Sequence, residues 1–374
     1  MIAIEKQLIE IYTTAQNQLF ETIAKKAAVG SPATFQRSML KEVTAILDNL
    51  SIESELWAVE NIEPMYLDGI RQARENTKAR YKVSDEYLES IGKISSKAFS
   101  VINQKAIEAM LTENIASLSI ANASLAKNIR DTIATKIATG ETVKQTSKRI
   151  TEQIYGSGIV NKDGIAKGKI SIKCKDGKVR NYEPSKYAET VARSATQETT
   201  NTALDNERKR VGSDIIGMTS HFPTCPVCAP LQGRWYSAEP DNKEYPYIRG
   251  SNGAWKSGYN LVHPNCRHRF FIVITALEDV ETIKEMKNFS NRSFKLSAED
   301  EKQLANYWAD QKYKSEQWRD LQQYNRYVSR LGADNVPRSF SAFRRMKASN
   351  NDNWLQLQED YRDAGLDIKK IINK

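Results

Sequence analysis

Along the N-terminal third, apolar residues recur at three- and four-residue steps. Ile4, Leu8, Ile11, Ala15, Leu19 and Ile23 make one stripe on a 3.6-residue period, which predicts an amphipathic helix. Gly30 ends it, and Ser31 with Pro32 offers an N-cap and a first-turn proline for the next helix. From Ser84 to about Ile154 there is no proline and little glycine, so long helices are expected, with a stop at Gly140. Thr142 and Gln145 have capping-box spacing for a further helix. Stripes of this kind bury a core, so this region reads as scaffold.

The pattern then changes. Residues 155–169 are rich in glycine and polar residues and read as a loop or hinge. In 170–183, Ile170, Ile172 and Cys174 alternate with polar residues, Asp176-Gly177 is a two-residue turn signal, and Val179 and Tyr182 continue beyond it. That predicts a β-hairpin, with Cys174 as a small buried hydrophobe. Residues 185–212 return to helix, with Tyr187, Val191, Ala195 and Ala203 on one face and Gly212 as the stop. Short strands are expected at 214–222, 234–239 and 269–277. From Ser297, with Asp300 at the capping-box position, a long helix runs to Gly332, and a last helix falls within 339–365. The tail aromatics Trp308, Trp318 and Tyr324 are expected to pack within the tail, with a partner-binding face as the alternative. Prolines crowd the middle and are sparse on both flanks, which favours long helices only on the flanks. The fold class is therefore mainly α. It has a helical domain at 1–154, a hinge and small α+β module at 155–278, and a helical tail at 279–374.

Composition narrows the function classes. Hydrophobic residues are 40% and charged residues 27% of the 374, as in a folded, water-facing protein. No apolar run is long enough to span a bilayer, and the N-terminus lacks the basic start and apolar core of a signal peptide. The net charge of +9 suits residence near an acidic surface or nucleic-acid phosphates, but no nucleic-acid recognition motif is present.

The chemistry-bearing residues are concentrated in one place. Three of the four cysteines and all three histidines lie in 221–268: His221, Cys225, Cys228, His263, Cys266 and His268. Cys225-Pro-Val-Cys228 has the spacing of a metal knuckle, and His263-Pro-Asn-Cys266 repeats the two-residue gap. Zinc takes four such ligands in a tetrahedron, so the simplest site is Cys225, Cys228, His263 and Cys266. His268 is an alternative ligand and His221 a weaker one. Four protein ligands leave no open position, which makes the expected role structural, a staple for a loop-rich segment. The deaminase and zincin signatures are absent, as are a Ser-His-acid set and a phosphate-binding glycine loop. Two alternatives stand beside the staple. His263, Asn265 and His268 could serve a metal-dependent nuclease or injected toxin, although the following segment reads as a strand where that class needs a helix. The cluster could also be a zinc module that binds nucleic acid. Arg267 and Arg269 flank His268 and are candidate contacts to DNA or an acidic partner.

The order of parts resembles the minor capsid proteins of tailed phages of Gram-positive type and the related phage Mu protein F-like head-morphogenesis group. The pieces that carry it are the helical first half, the hairpin, the "YAETVARSATQETTN" helix with Arg193, "CPVCAPLQGRWYS", "HPNCRHRF" and an aromatic, charged tail. In "VARSATQ", Ser194 and Ala195 stand where such proteins often have threonine and glutamate after the arginine, so any polar role of that triplet is altered here. The resemblance implies a non-enzymatic protein inside the phage head, made in the host cytoplasm. Its expected partners are the portal or major capsid protein and, without sequence preference, packaged DNA.

Overall fold

In this computed structural model the described residues are 2–26, 32–138, 169–173, 177–250, 254–255 and 260–372. Residues 155–168 of the expected hinge at 155–169, the helix starting at Thr142 and the Cys174 side chain lie outside them. Nine α-helices run through the described chain: α1 Ile2–Lys26, α2 Pro32–Tyr81, α3 Asp85–Ser90, α4 Ser96–Ala138, α5 Pro184–Val211, α6 Val280–Ser290, α7 Ala298–Leu331, α8 Phe340–Ser349 and α9 Asp352–Ile372. The strands are β1 Ile170–Lys173, β2 Val179–Tyr182, β3 Ile215–Met218, β4 Trp235–Ser237 and β5 Phe270–Val273. The protein is mainly α, with long N-terminal helices, a small strand module and a helical C-terminal region, as the periodicity predicted. No described helix is long and apolar enough to cross a membrane.

The chain groups into two compact units. The first comprises Met1–Ile9, Glu55–Ser117 and Ala188–Asp310, and the second Glu10–Ser54, Leu118–Tyr187 and Gln311–Lys374.

In the second unit, Ala15, Leu19 and Ile23 of the α1 stripe are buried. A polar chain crosses this apolar packing: Tyr12 Oη donates to Asn122 Oδ1 (2.7 Å), and Asn122 Nδ2 donates to Ser54 Oγ (2.8 Å). Three helices are thus locked at one register, because a slip would strand buried polar atoms. The hairpin forms, but its register differs from the one expected. A two-residue turn at Asp176-Gly177 would pair Lys173 with Arg180, whereas Lys173 pairs with Val179 and Ile172 with Arg180. The connection therefore has an odd number of residues, and Gly177 takes a positive φ of 78° within it. The single helix expected at 339–365 is two. Asn350 adopts a left-handed conformation (φ 46°) that ends α8, and Asn351 Oδ1 accepts from Trp354 N (3.1 Å) to start α9. Tyr327, Val336, Phe343, Trp354 and Leu357 form the core there. Tyr324 joins it, but Trp318 is 40% exposed. Side chains of α8 reach α7 at Asp320 and Gln323, which lie beyond that tryptophan.

In the first unit, α2 continues straight through Pro64, where an interior proline normally breaks a helix. Trp57, Ala58, Ile62, Met65 and Tyr66 are all buried around it, so packing on both sides of the proline offsets the lost hydrogen bond. The three-stranded sheet has the order β4-β3-β5, antiparallel throughout. Side chains alternate across it. Ile216, Met218, Tyr236, Phe270 and Ile272 face the larger core with Trp255, while Ile215, Trp235, Tyr245 and Val273 face the side where Met286 of α6 packs. Gly217 sits opposite Phe271, and a Cβ there would lie 2.1 Å from the ring. The Ser297–Asp300 capping box is present in full: Asp300 N donates to Ser297 Oγ (3.1 Å) and Ser297 N to Asp300 Oδ2 (2.9 Å). Trp308 on the following helix is 56% exposed, against the expectation that it packs.

Candidate metal centre

Two tight turns deliver the thiols and imidazoles to one end of the sheet. β3 and β5 are neighbours, and their pairing extends beyond the strands through Thr219 N donating to Arg269 O (2.9 Å). The segment leaving β3 enters the first turn, where Cys228 N (3.1 Å) and Ala229 N (2.9 Å) both donate to Cys225 O. The segment entering β5 carries the second turn, closed by Cys266 N donating to His263 O (3.1 Å). Asn265 supplies the positive φ (63°) that this turn needs, a conformation asparagine tolerates better than most residues. Each turn thus sets its two ligand residues side by side, and the sheet brings the turns together.

The ligand atoms form two overlapping triads, Cys225–Cys228–His263 and Cys228–Cys266–His268, each with its atoms within 4.8 Å of one another. His263 Nε2 lies 3.2 Å from both Cys225 Sγ and Cys228 Sγ, and Cys228 Sγ lies 3.8 Å from Cys266 Sγ. A tetrahedral zinc with bonds of ~2.3 Å to sulfur holds its sulfurs about 3.8 Å apart, so the last spacing suits such an ion. His268 Nδ1 is 3.9 Å from Cys266 Sγ.

The histidine tautomers follow from their other contacts. His263 Nδ1 lies 2.7 Å from the Pro264 carbonyl, which can only accept, so Nδ1 carries a proton and Nε2 is the nitrogen that faces the two sulfurs, free to bind a metal once deprotonated. Gln232 Oε1 accepts from the His221 backbone N–H (3.2 Å), which fixes it as the amide oxygen. His268 Nε2 approaches that oxygen at 2.9 Å and therefore donates to it, leaving Nδ1 with its lone pair toward Cys266. In both rings the nitrogen away from the thiols is anchored by a carbonyl oxygen, the outer-shell arrangement that orients metal-binding histidines. This donor set fits a soft, closed metal site.

The electrostatics point the same way. A hydrogen bond from Cys228, with help from His263, pulls the Cys225 thiol down to about 3 against the effect of burial. A hydrogen bond from Cys228 pulls Cys266 down to about 4. Cys228 is pushed strongly up, because its proton bridges both neighbours and the site is buried. The Cys225 contact raises His263 to about 9. Without metal, two thiolates thus share one proton and one imidazolium, and a divalent cation would neutralise the same charge from the same position.

A layer of polar side chains holds the second turn in place. Gln197 on α5 donates to the His268 carbonyl (2.6 Å), and Asn201, one turn on, donates to the Asn260 carbonyl (2.6 Å). Asn260 Nδ2 reaches back to Thr202 Oγ1 (2.9 Å). Sequence reading saw only the apolar face of α5, and the signal that could have found this clamp is an amide pair at i and i+4 facing inward. Arg193, by contrast, pairs with Glu189 (2.7 Å) and stays outside this network. Arg234 was also missed. It is buried and donates to the carbonyls of Ser290 (2.9 Å), Arg292 (2.6 Å) and Ser293 (2.8 Å), so it caps the C-terminus of α6.

The remaining candidates fall outside the triads. His221 stacks on His268 with ring centroids 3.9 Å apart, and its Nε2 is buried with no hydrogen-bond partner. Arg267 and Arg269 are exposed, and Arg269 Nη1 donates to Gln72 Oε1 (3.1 Å). The nuclease reading gains no support from this geometry. His268 is 1% exposed, His263 points into the thiols, and a strand follows where that class needs a helix. The profile of the family described as phage minor capsid protein 2 matches residues 2–317, which takes in the whole centre. The chain belongs to that family. No curated protein and no solved structure matches it. As a phage minor capsid protein the chain has a structural role in the phage capsid, and its Cys/His cluster could hold a metal ion.

Proposed function

We propose that this minor capsid protein acts inside the phage head during morphogenesis, docked on the portal or the inner face of the major capsid protein and beside packaged DNA. The observation that carries the reading is the family match over residues 2–317. The net charge of +9 supports residence beside phosphate backbones without sequence readout. Its role is structural, with no catalytic step. The central module is stapled by one zinc ion on Cys225, Cys228, His263 Nε2 and Cys266, with His268 as the alternative fourth ligand. Bound zinc would cross-link two turns that the sheet alone joins only at their bases.

The test is composition and position in particles. Purified heads should contain the protein at low copy number, and cross-linking should connect it to portal or inner capsid surfaces. Its absence from both heads and proheads would refute the reading. Cleavage of DNA by the purified protein with magnesium or zinc, abolished by His263→Ala or His268→Ala, would favour the nuclease instead.

A further inference from the structure

Helix α2 carries apolar residues on two faces. One is buried through Trp57, Ala58, Ile62, Met65 and Tyr66. On the other, Leu56, Val59 and Leu67 are 50%, 52% and 51% exposed, with Glu63 between them at the same helical spacing. A helix that packs only against its own domain is normally polar on its outer face. Glu63 and Leu67 also line a groove of about 790 Å³, whose other apolar walls are Phe99, Ile107 and Leu111 of α4. Arg74 and Arg210 close one end, and two carboxylates neutralise them: Glu207 at 3.1 and 2.6 Å and Glu89 at 3.5 and 3.1 Å. That leaves Glu63 and Glu108 on the rim. Residues 51–70 hold Glu53, Glu55, Glu60, Glu63 and Asp68 and no lysine or arginine, in a chain of net charge +9.

We propose that this face docks a basic amphipathic helix of another protein of the phage head. Apolar positions at three- and four-residue steps beside a groove are what a partner helix reads through its own anchors at i, i+3/i+4 and i+7. Glutamates flanking such a seam select lysine or arginine on the partner. The same acids repel nucleic acid and anionic lipid. A second copy of the chain fits less well: Trp308, Tyr313 and Trp318, the exposed aromatics of its α7, alternate with Asp310, Glu316 and Asp320.

The partner's place in the head rests on the capsid role proposed above, whereas the acidic apolar face does not, and the experiment separates the two. Full-length protein is titrated with two labelled synthetic helices that share leucine anchors and differ only in lysine or glutamate flanks. The lysine-flanked peptide should bind at least tenfold tighter. Leu67→Gln should weaken it, and Glu63→Lys with Glu108→Lys should reverse the preference. All three positions line an open groove, and circular dichroism confirms that the variants fold. Equal binding of the two peptides, or binding untouched by Leu67→Gln, overturns the docking face whatever the protein's location. In assembled heads, a photo-crosslinker at position 67 should capture a lysine- or arginine-rich helical segment of a different protein. Adducts only to DNA, to this chain or to a second copy would overturn the proposal while leaving the capsid role intact.

Discussion

Replacing Arg234 by alanine would unfasten the end of α6 from the sheet. Its guanidinium reaches the carbonyls of Ser290, Arg292 and Ser293 at 2.6–2.9 Å and lies over the Phe294 ring at 4.3 Å. Each charge-assisted hydrogen bond is worth ~1.5–3 kcal/mol net, and the ring contact adds about 1 kcal/mol. Water entering the vacated space would rehydrate part of the carbonyl set, so the net loss is about 3–5 kcal/mol. The loss is local, because Trp235 N still donates to Ser290 Oγ (2.9 Å). Hydrogen–deuterium exchange over residues 280–293 is the suitable assay, since each 1.4 kcal/mol of local opening speeds exchange about tenfold. Exchange there should rise roughly a hundredfold or more in Arg234→Ala. Arg234→Lys keeps the charge on a single nitrogen and should recover less than half of the loss. A change below about threefold in Arg234→Ala, with the sheet amides unaffected, would refute the assignment of Arg234 as the cap.

Gly217→Ala should destabilise the sheet by about 2–3 kcal/mol in urea unfolding, because its Cβ would meet Phe271 at 2.1 Å, and Phe271→Ala in the same chain should relieve part of that cost. Asn122→Ala should cost about 2–3 kcal/mol by orphaning the Tyr12 Oη donor, while Ser54 Oγ keeps its bond to the Ser51 carbonyl, and Tyr12→Phe should cost less, because it removes a donor instead of orphaning one. Gln197→Ala should speed zinc release to a chelator about tenfold or more without changing stoichiometry, since it frees the loop carbonyl next to the centre.

The long helices were legible because their signal is local: apolar spacing, few prolines and caps such as Ser297 with Asp300. Where the fold departs from the sequence reading, the deciding contact is distant or subtle. The hairpin register moved by one residue, and composition does not distinguish an odd from an even connection around Gly177. Asn350 looks like an ordinary helix residue until its left-handed conformation splits the last helix. Helix α6, capped by Asp279 accepting from Thr282 N (2.7 Å), falls within the expected helical tail, but no single helix is read there. For the centre, spacing alone brought Cys225, Cys228, His263, Cys266 and His268 forward. Gln197, Asn201 and Gln232 stayed hidden because an amide shows its role only once its partner is in place.

The most direct test of the central claim is the metal content of the full-length protein, purified without chelator, by inductively coupled plasma mass spectrometry, for the wild type and Cys225→Ser. The zinc staple predicts one zinc per wild-type chain and its loss in the variant. Wild-type protein that carries no zinc, and takes none up when it is supplied, would contradict the staple and reduce the triads to packing between two turns.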